Sequence, residues 1–460
     1  MTANNYSIER TITQGCPQGS CSGPGFWNVL YNSLLTLELT SRSKAIAFAD
    51  DLIIQTRGET VTEAENYANL DLRKIEEWAQ NNKMKFNENK SKVMLMSRRD
   101  IDIYINNKTL PQVESIKYLG IIFDSKLSFR EHITYIEGKC TKLIFSLAKS
   151  AKITWGLKHK TLKKIYMGAI LPLLLYGAPV WKEVLYSSCY KGKLIRVQRL
   201  INIKIAKAYR TVSNEALYIV TGLIPINIKI EEAAKYYAIT KDKGEKYDRE
   251  MDIKNWKHPA KQITIIDAKE DSTHNIQAYT DGSKSEAGVG SGIAVFTGGN
   301  LKTTLRHRIN VRCTNNQAEQ MAILKALEYI QQLNEDNKTA LVYTYSRITL
   351  QILQNRTRHT YIIDLIKKKV INMEQDEWKI EFSWVKAHAG QKGNELEDRL
   401  AKEASSNKNF EECYNRNPKS TVPSELRQQC LKQWQTEWET ITKGATTKSF
   451  FPNIEDRLKL

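Results

Sequence analysis

Asp281, Glu319 and Asp398 are the residues of this chain best placed to do chemistry. Each is a carboxylate that closes a short apolar run or sits in the first half of a helical pattern. Acids in such settings converge at one edge of a sheet. Carboxylates brought close together repel and are costly to desolvate unless cations hold them. Hard oxygen ligands suit Mg2+ or Mn2+, and two such ions can clamp a scissile phosphate. The chemistry this implies is metal-assisted cleavage of a phosphodiester.

The elements that must position these acids can be read around them. Ile276 to Ser283 is a strand pattern stopping at an Asp281-Gly282 turn, and Gly288 to Phe296 is an antiparallel partner. Glu319 follows Asn315-Asn316-Gln317-Ala318, and Ile323, Leu324, Leu327 and Ile330 recur after it at helical spacing. Leu341 to Thr344 is a short buried-strand pattern with Tyr345 at its end, and Glu381 to Lys386 is another, leading into His388 and Gly390. Glu395 to Ala404 is a last helix that carries Asp398. Each acid also has a plain structural reading. Asp281 could form a turn, Glu319 could close a capping box on Asn316, and Asp398 could pair with Lys402 one turn later. His388 could be an ordinary loop residue.

Taken together, Tyr279-Thr280-Asp281-Gly282-Ser283, Asn315-Asn316-Gln317-Ala318-Glu319, Thr344-Tyr345-Ser346-Arg347, Trp384-Val385-Lys386-Ala387-His388 and Gly393 to Ala401 resemble type 1 ribonuclease H in order and spacing. The resemblance covers 274–407. It implies a mixed five-stranded sheet with flanking helices, with Asp281, Glu319 and Asp398 as metal ligands. It also implies that His388 assists on a mobile loop and that Asn316 and Gln317 lie against an RNA–DNA hybrid. The family's Thr-Asp-Ser is Thr344-Tyr345-Ser346 here. A neutral phenol cannot replace a carboxylate that holds a metal, so strongly reduced or absent cleavage is expected. One base change converts an Asp codon to a Tyr codon, and decay of a mobile-element copy would suffice to explain it.

A second pair of acids lies near the start. Ala45 to Gln55 is a hairpin pattern in which Asp50 and Asp51 interrupt an apolar stretch. Buried without cations they would cost several kcal/mol, whereas an exposed Asp-Asp turn is the plain alternative. With Gln14 to Ser20 before it and Lys117-Tyr118-Leu119-Gly120 after it, residues 8–130 resemble the palm of a non-LTR (LINE-type) retrotransposon reverse transcriptase. The resemblance implies that Asp50 is a metal ligand and Asp51 its partner. It places Gln18 and Gly19 near the incoming nucleotide and template, and Tyr118 and Gly120 in the primer grip of a primer-template duplex. Such a palm needs a further Asp before Gln14, and residues 1–13 hold only Glu9. DNA synthesis by this chain alone is therefore not expected, and the chain reads as the C-terminal part of a larger polyprotein or a truncated gene product.

The 460 residues suffice for two or three domains, and 69 basic against 51 acidic residues give a net charge of +18. That charge favours a polyanionic partner. Residues 138–210 hold 16 Lys or Arg and one acid, Glu183. Within them Leu194, Val197, Ile201 and Ile205 form an apolar helix face, while Arg196, Arg199, Lys204 and Lys207 fall largely off it. The pattern suits helices that pack by one side and grip phosphates with the other.

The apolar run Ala169 to Val180 contains Pro172 and Pro179 and is too short to span a bilayer, so no membrane partner is expected. Seven scattered cysteines form no zinc pair and suit a reducing compartment, and an intracellular, nuclear location is the expectation. No helix-turn-helix or zinc signature supports a host transcription factor. The expected layout is a partial palm at 1–130, a basic helical thumb or connection at 131–239, and a linker at 240–273. A ribonuclease H domain at 274–407 and a tail at 408–460, with Trp434 and Trp438 on a helix, complete it.

Overall fold

In the computed structural model, the described residues are 2–3, 6–7, 19–97, 99–149, 156–241, 247–248, 251–252, 263–266, 274–355, 358–385 and 394–459. They form two units, Met1–Asn227 and Ile228–Leu460.

In the first unit, helix α1 (Gly23–Leu35) precedes a hairpin of β1 (Ser43–Phe48) and β2 (Asp51–Thr56), and α2 (Val61–Asn81) follows. Tyr31, Leu34, Ile75 and Trp78 form the core between the helices and the hairpin. A second hairpin pairs β3 (Ser115–Tyr118) with β4 (Ile121–Asp124). Its two-residue turn has Leu119 at φ 45° and Gly120 at φ 82°, the double left-handed conformation of a type I′ turn. Leucine is strained there, and the Tyr176 hydroxyl donates to the Leu119 carbonyl at 2.7 Å.

The basic segment is helical. It comprises α3 (Arg130–Lys149), short helical pieces between His159 and Tyr186, α4 (Ser188–Ala206) and α5 (Asn214–Thr221). Leu194, Val197, Ile201 and Ile205 are all buried, as the apolar face of α4 requires. No single described helix is long and apolar enough to cross a membrane. One bent pair, His159–Leu175 with Ala178–Tyr186, passes on length and composition alone.

The second unit begins with α6 (Ile226–Lys241), which the sequence reading had grouped with the thumb. Its sheet has six strands rather than five. They are β5 (Thr264–Ile266), β6 (Ile276–Ser285), β7 (Gly288–Thr297), β8 (Asn300–Ile309), β9 (Thr339–Thr344) and β10 (Lys379–Trp384), in the order β5-β10-β9-β6-β7-β8. β6, β7 and β8 pair antiparallel, while β9, β10 and β5 add in parallel. The extra strand falls within the span read as a linker, 240–273, most of which lies outside the described residues. Ile263 and Ile265 pack against the main core, and buried Asp248 accepts hydrogen bonds from Gln317 and Tyr361. Three residues of strand were too short to show as a period.

Helices α7 (Asn315–Gln331), α8 (Arg347–Gln354), α9 (Tyr361–Gln375) and α10 (Asn394–Ser406) flank the sheet. Ile276, Val342, Ile323, Leu327, Ile363 and Phe382 are among its fully buried core residues. In the tail, α11 (Val422–Thr440) buries Trp434 and Trp438, as its helical pattern implied.

Candidate active site

The sequence reading ended the strand at Asp281-Gly282, but β6 continues to Ser285, with Asp281 opposite Gly292 and Gly282 opposite Ser291. Gly282 serves a close approach rather than a turn. A Cβ there would lie 2.4 Å from the Glu319 amide nitrogen and 2.8 Å from the Ala318 carbonyl carbon. Its absence lets the strand bearing Asp281 touch the first turns of α7, which bear Glu319.

A second set of glycines places Asp398. Gly288, Gly290 and Gly292 share one face of β7, and a Cβ at any of them would strike the backbone of α10 or the residues at its end. At Gly292 it would lie 2.2 Å from the Glu397 carbonyl oxygen. On the opposite face, the Ser291 hydroxyl donates to the Ala318 carbonyl at 2.6 Å. One strand thus holds α7 and α10 against opposite faces near Asp281.

Glu319 is not part of a capping box. Thr314 is the N-cap and Gln317 closes the box on it. This also corrects the assignment of Gln317 to nucleic acid. Its side chain is buried and donates to Asp248 and to the Arg416 carbonyl, so it has no face to offer a hybrid. Asn316, by contrast, is exposed. Glu319 accepts a hydrogen bond from Asn315 at 3.0 Å. Asp398 accepts one from Lys402 at 2.7 Å, so the plain helix-pair reading of that residue also holds.

Electrostatics tie the acids together. Burial, opposed by a backbone hydrogen bond at Gly282 and reinforced by the charges of Asp398 and Glu319, pushes the Asp281 carboxyl up to about 7. Burial also raises Glu319, partly offset by hydrogen bonds from Ser346 and Asn315.

Tyr345 follows β9, and its hydroxyl donates to Glu397 Oε1 at 2.5 Å. Its carbonyl accepts from the Trp384 indole at 3.1 Å, and the Arg347 guanidinium stacks 3.8 Å from the Trp384 ring. Burial, the bond to Glu397 and the charges of Glu397, Asp281 and Asp398 hold the phenol protonated, well above its usual range. Burial pushes the Glu397 carboxyl up to about 7. Glu397 was overlooked in the sequence. Its signal was the neighbouring acid pair Glu397-Asp398 in a motif where one acid is expected.

Among the described residues, no three His, Cys, Asp or Glu already surround a common cation position. The donor chemistry nonetheless fits a hard divalent cation. Asp281 feels the charges of both Glu319 and Asp398, and Glu397 Oε2 is a buried oxygen with no hydrogen-bond partner. His388 lies outside the described residues.

In the first unit, Asp50 and Asp51 are exposed at the β1–β2 turn, the plain alternative kept for that pair. A tight turn lifts them out of the apolar strands, with Ala49 at φ 52° and its carbonyl held by the Trp27 indole at 2.9 Å. The structure does bring this turn near the second hairpin. Burial and the Asp51 charge raise the Tyr118 phenol, and burial and the charges of Asp50 and Asp51 raise that of Tyr31. Gly19 is exposed at φ 87°, and Gln18 lies outside the described residues.

Of the basic residues, Arg196 projects outward but pairs with Glu137 at 3.2 Å. Arg199 is engaged within the fold, donating to Asn214 Oδ1 and the Arg210 carbonyl. Lys204 is half-buried, and Lys207 is exposed at the left-handed C-cap of α4.

Comparison with known proteins agrees with this division. The RNase H family matches residues 273–406, and the reverse transcriptase (RNA-dependent DNA polymerase) family matches residues 1–123. A 115 kDa protein of the type-1 retrotransposable element R1DM of Drosophila melanogaster is 31% identical over 52% of this chain and 23% of its own length. A retrovirus-related Pol polyprotein of element R1 from Nasonia vitripennis is 30% identical over 47% of this chain and 66% of its own. The chain thus spans about a quarter of the first of these relatives. Among solved structures, an N-terminal RNase H domain from Mycobacterium tuberculosis is 21% identical, covering 28% of this chain and 98% of that one at a TM-score of 0.24.

Fold and matches together define a mixed α/β protein that joins a reverse-transcriptase portion to a ribonuclease H domain. The chain carries a reverse transcriptase domain and an RNase H domain, both from enzyme families, and is similar to the Pol polyproteins of R1 retrotransposable elements. Its content is broader than a C-terminal part of the polymerase alone.

Proposed function

We propose that this chain binds RNA–DNA hybrids and hydrolyses the RNA strand endonucleolytically at Asp281, Glu319 and Asp398. The observation that carries this reading is the convergence of those three carboxylates, two of them raised by burial, where glycines let β6, β7, α7 and α10 close on one another. A bound Mg2+ or Mn2+ would supply Lewis-acid activation of water and charge neutralisation at the scissile phosphate. Asp281, Glu319 and Asp398 are the residues that would hold it. Lys402 positions the Asp398 carboxylate, and exposed Asn316 is placed to meet the hybrid at the start of α7. The basic helices of the first unit add salt-sensitive, sequence-independent affinity.

A second reading, a nucleic-acid-binding remnant without cleavage, is favoured by one observation. Tyr345 stands where the family has a carboxylate, and it is held as a neutral phenol. Polymerase chemistry by this chain alone is not part of this proposal.

Labelled RNA–DNA hybrid incubated with purified protein and Mg2+ separates the two readings. Cleavage abolished by Asp281→Asn supports hydrolysis. No cleavage by the wild type, with hybrid binding intact, supports the remnant. Gain of cleavage in Tyr345→Asp would locate the lesion at that position.

A further inference from the structure

A cavity of about 250 Å³ lies in the first unit, between the β3–β4 hairpin and α3. Leu173 and Tyr176, from the short helical pieces, complete its wall. The inner side is apolar. His132, Ile136 and Cys140 recur every four residues along one face of α3, and all three are buried. Burial pushes the Cys140 thiol up to about 11 and lowers His132 to about 4, so neither adds a charge. An apolar wall gives water few partners, and an apolar cavity of about 150 Å³ already admits benzene. The larger space here suits a bicyclic aromatic body.

The mouth is cationic. Lys117 of β3 and Lys139 of α3 line the cavity and are both exposed. Lys117 Nζ donates to the Tyr135 hydroxyl at 3.0 Å and lies 4.6 Å from the centroid of that ring. The bond and charge of Lys117, with the charge of Lys139, hold the Tyr135 phenol below its usual range. Both positive charges therefore act at one place. Glu137, the acid of α3 nearest to them in sequence, is already held by Lys193 and Arg196. A strand phosphate would use the lysines and leave the apolar wall empty. A carboxylate on an aromatic body would use both.

We propose that this cavity binds a small bicyclic aromatic carboxylate, its rings against Ile136, Cys140 and Leu173 and its carboxylate at Lys117 and Lys139. The site is independent of the acids of the second unit.

The test is equilibrium dialysis of 2-naphthoate against the full chain. Wild type is expected to bind it saturably, and to bind neutral 2-naphthalenemethanol at least about fivefold more weakly, as two exposed charge pairs allow. Lys117→Gln combined with Lys139→Gln is expected to remove that preference. Leu173→Trp, which fills the cavity, is expected to abolish binding of both probes. In wild type, 2-naphthoate is expected to slow hydrogen exchange within residues 115–124 and 132–140, a readout that needs no variant to fold.

No saturable binding, equal affinity of wild type for the acid and the alcohol, or protection confined to other segments would overturn the proposal. Displacement of 2-naphthoate by an equal concentration of a dinucleotide would also overturn it, and would reassign the cavity to a nucleic-acid strand.

Discussion

The two units each present paired acids, yet they treat them in opposite ways. Asp50 stands exposed on a two-residue turn and Asp51, also exposed, opens the strand that follows it. Asp281, Glu319 and Glu397 are drawn into a space where burial raises their carboxyl groups, and Asp398 is beside them. The difference lies less in the acids than in the residues around them. Around the second set, Gly282, Gly290 and Gly292 remove the side chains that would keep helices from strands. Where backbones approach that closely, water is excluded and carboxylates bear on one another. An acidic motif therefore becomes a charged cage only where the neighbouring sequence permits close packing.

Disturbing that packing should have the largest effect. Gly292→Val drives a side chain into the backbone of α10 and should cost at least about 3 kcal/mol in the second unit, read by thermal melting. Its counterpart, Gly138→Ala in α3, meets no atom within 4 Å and should instead stabilise the first unit by up to about 1 kcal/mol.

Next is a pH effect confined to the first unit. Burial lowers His132 to about 4, against an ordinary value of 6.5, so the folded state keeps it neutral while the unfolded chain takes up a proton. Its contribution is complete above pH 6.5 and is lost as pH falls toward 4, by at most about 3 kcal/mol. His132→Phe should flatten that slope between pH 6.5 and 4. An unchanged slope would remove His132 as its source.

The smallest effects concern the basic helices. Arg196→Ala should lessen the salt dependence of hybrid binding by about 0.9 in the log–log slope. Arg199→Ala should leave that slope unchanged and lower stability by about 1 kcal/mol, because its guanidinium already bonds Asn214 and Arg210.

Much of the second unit was legible in the sequence, because its signals were periodic or motif-bound. Ile323, Leu324, Leu327 and Ile330 announced α7, and the order of the acids announced the site. What escaped depended on atoms distant in sequence. Gly282 looked like half of an Asp-Gly turn, since nothing local shows that α7 lies against it. Gln317 looked like a surface contact because its partners, Asp248 and Arg416, lie 69 and 99 residues away. Glu397 was hidden by its neighbour Asp398, which matched the motif and drew the assignment. The apolar strands flanking Asp50 and Asp51 left burial and an exposed turn both open, and the structure exposes the pair.

The most direct test of the caged site is calorimetric melting of the full chain with and without Mg2+, using Gly292→Val to identify the transition of the second unit. A cation that binds only the folded state raises that transition in proportion to its affinity. The predicted result is a Mg2+-dependent rise in wild type that Asp281→Asn abolishes and Asp50→Asn with Asp51→Asn leaves intact. An absent rise, or one that survives Asp281→Asn unchanged, would contradict a carboxylate cage in the second unit.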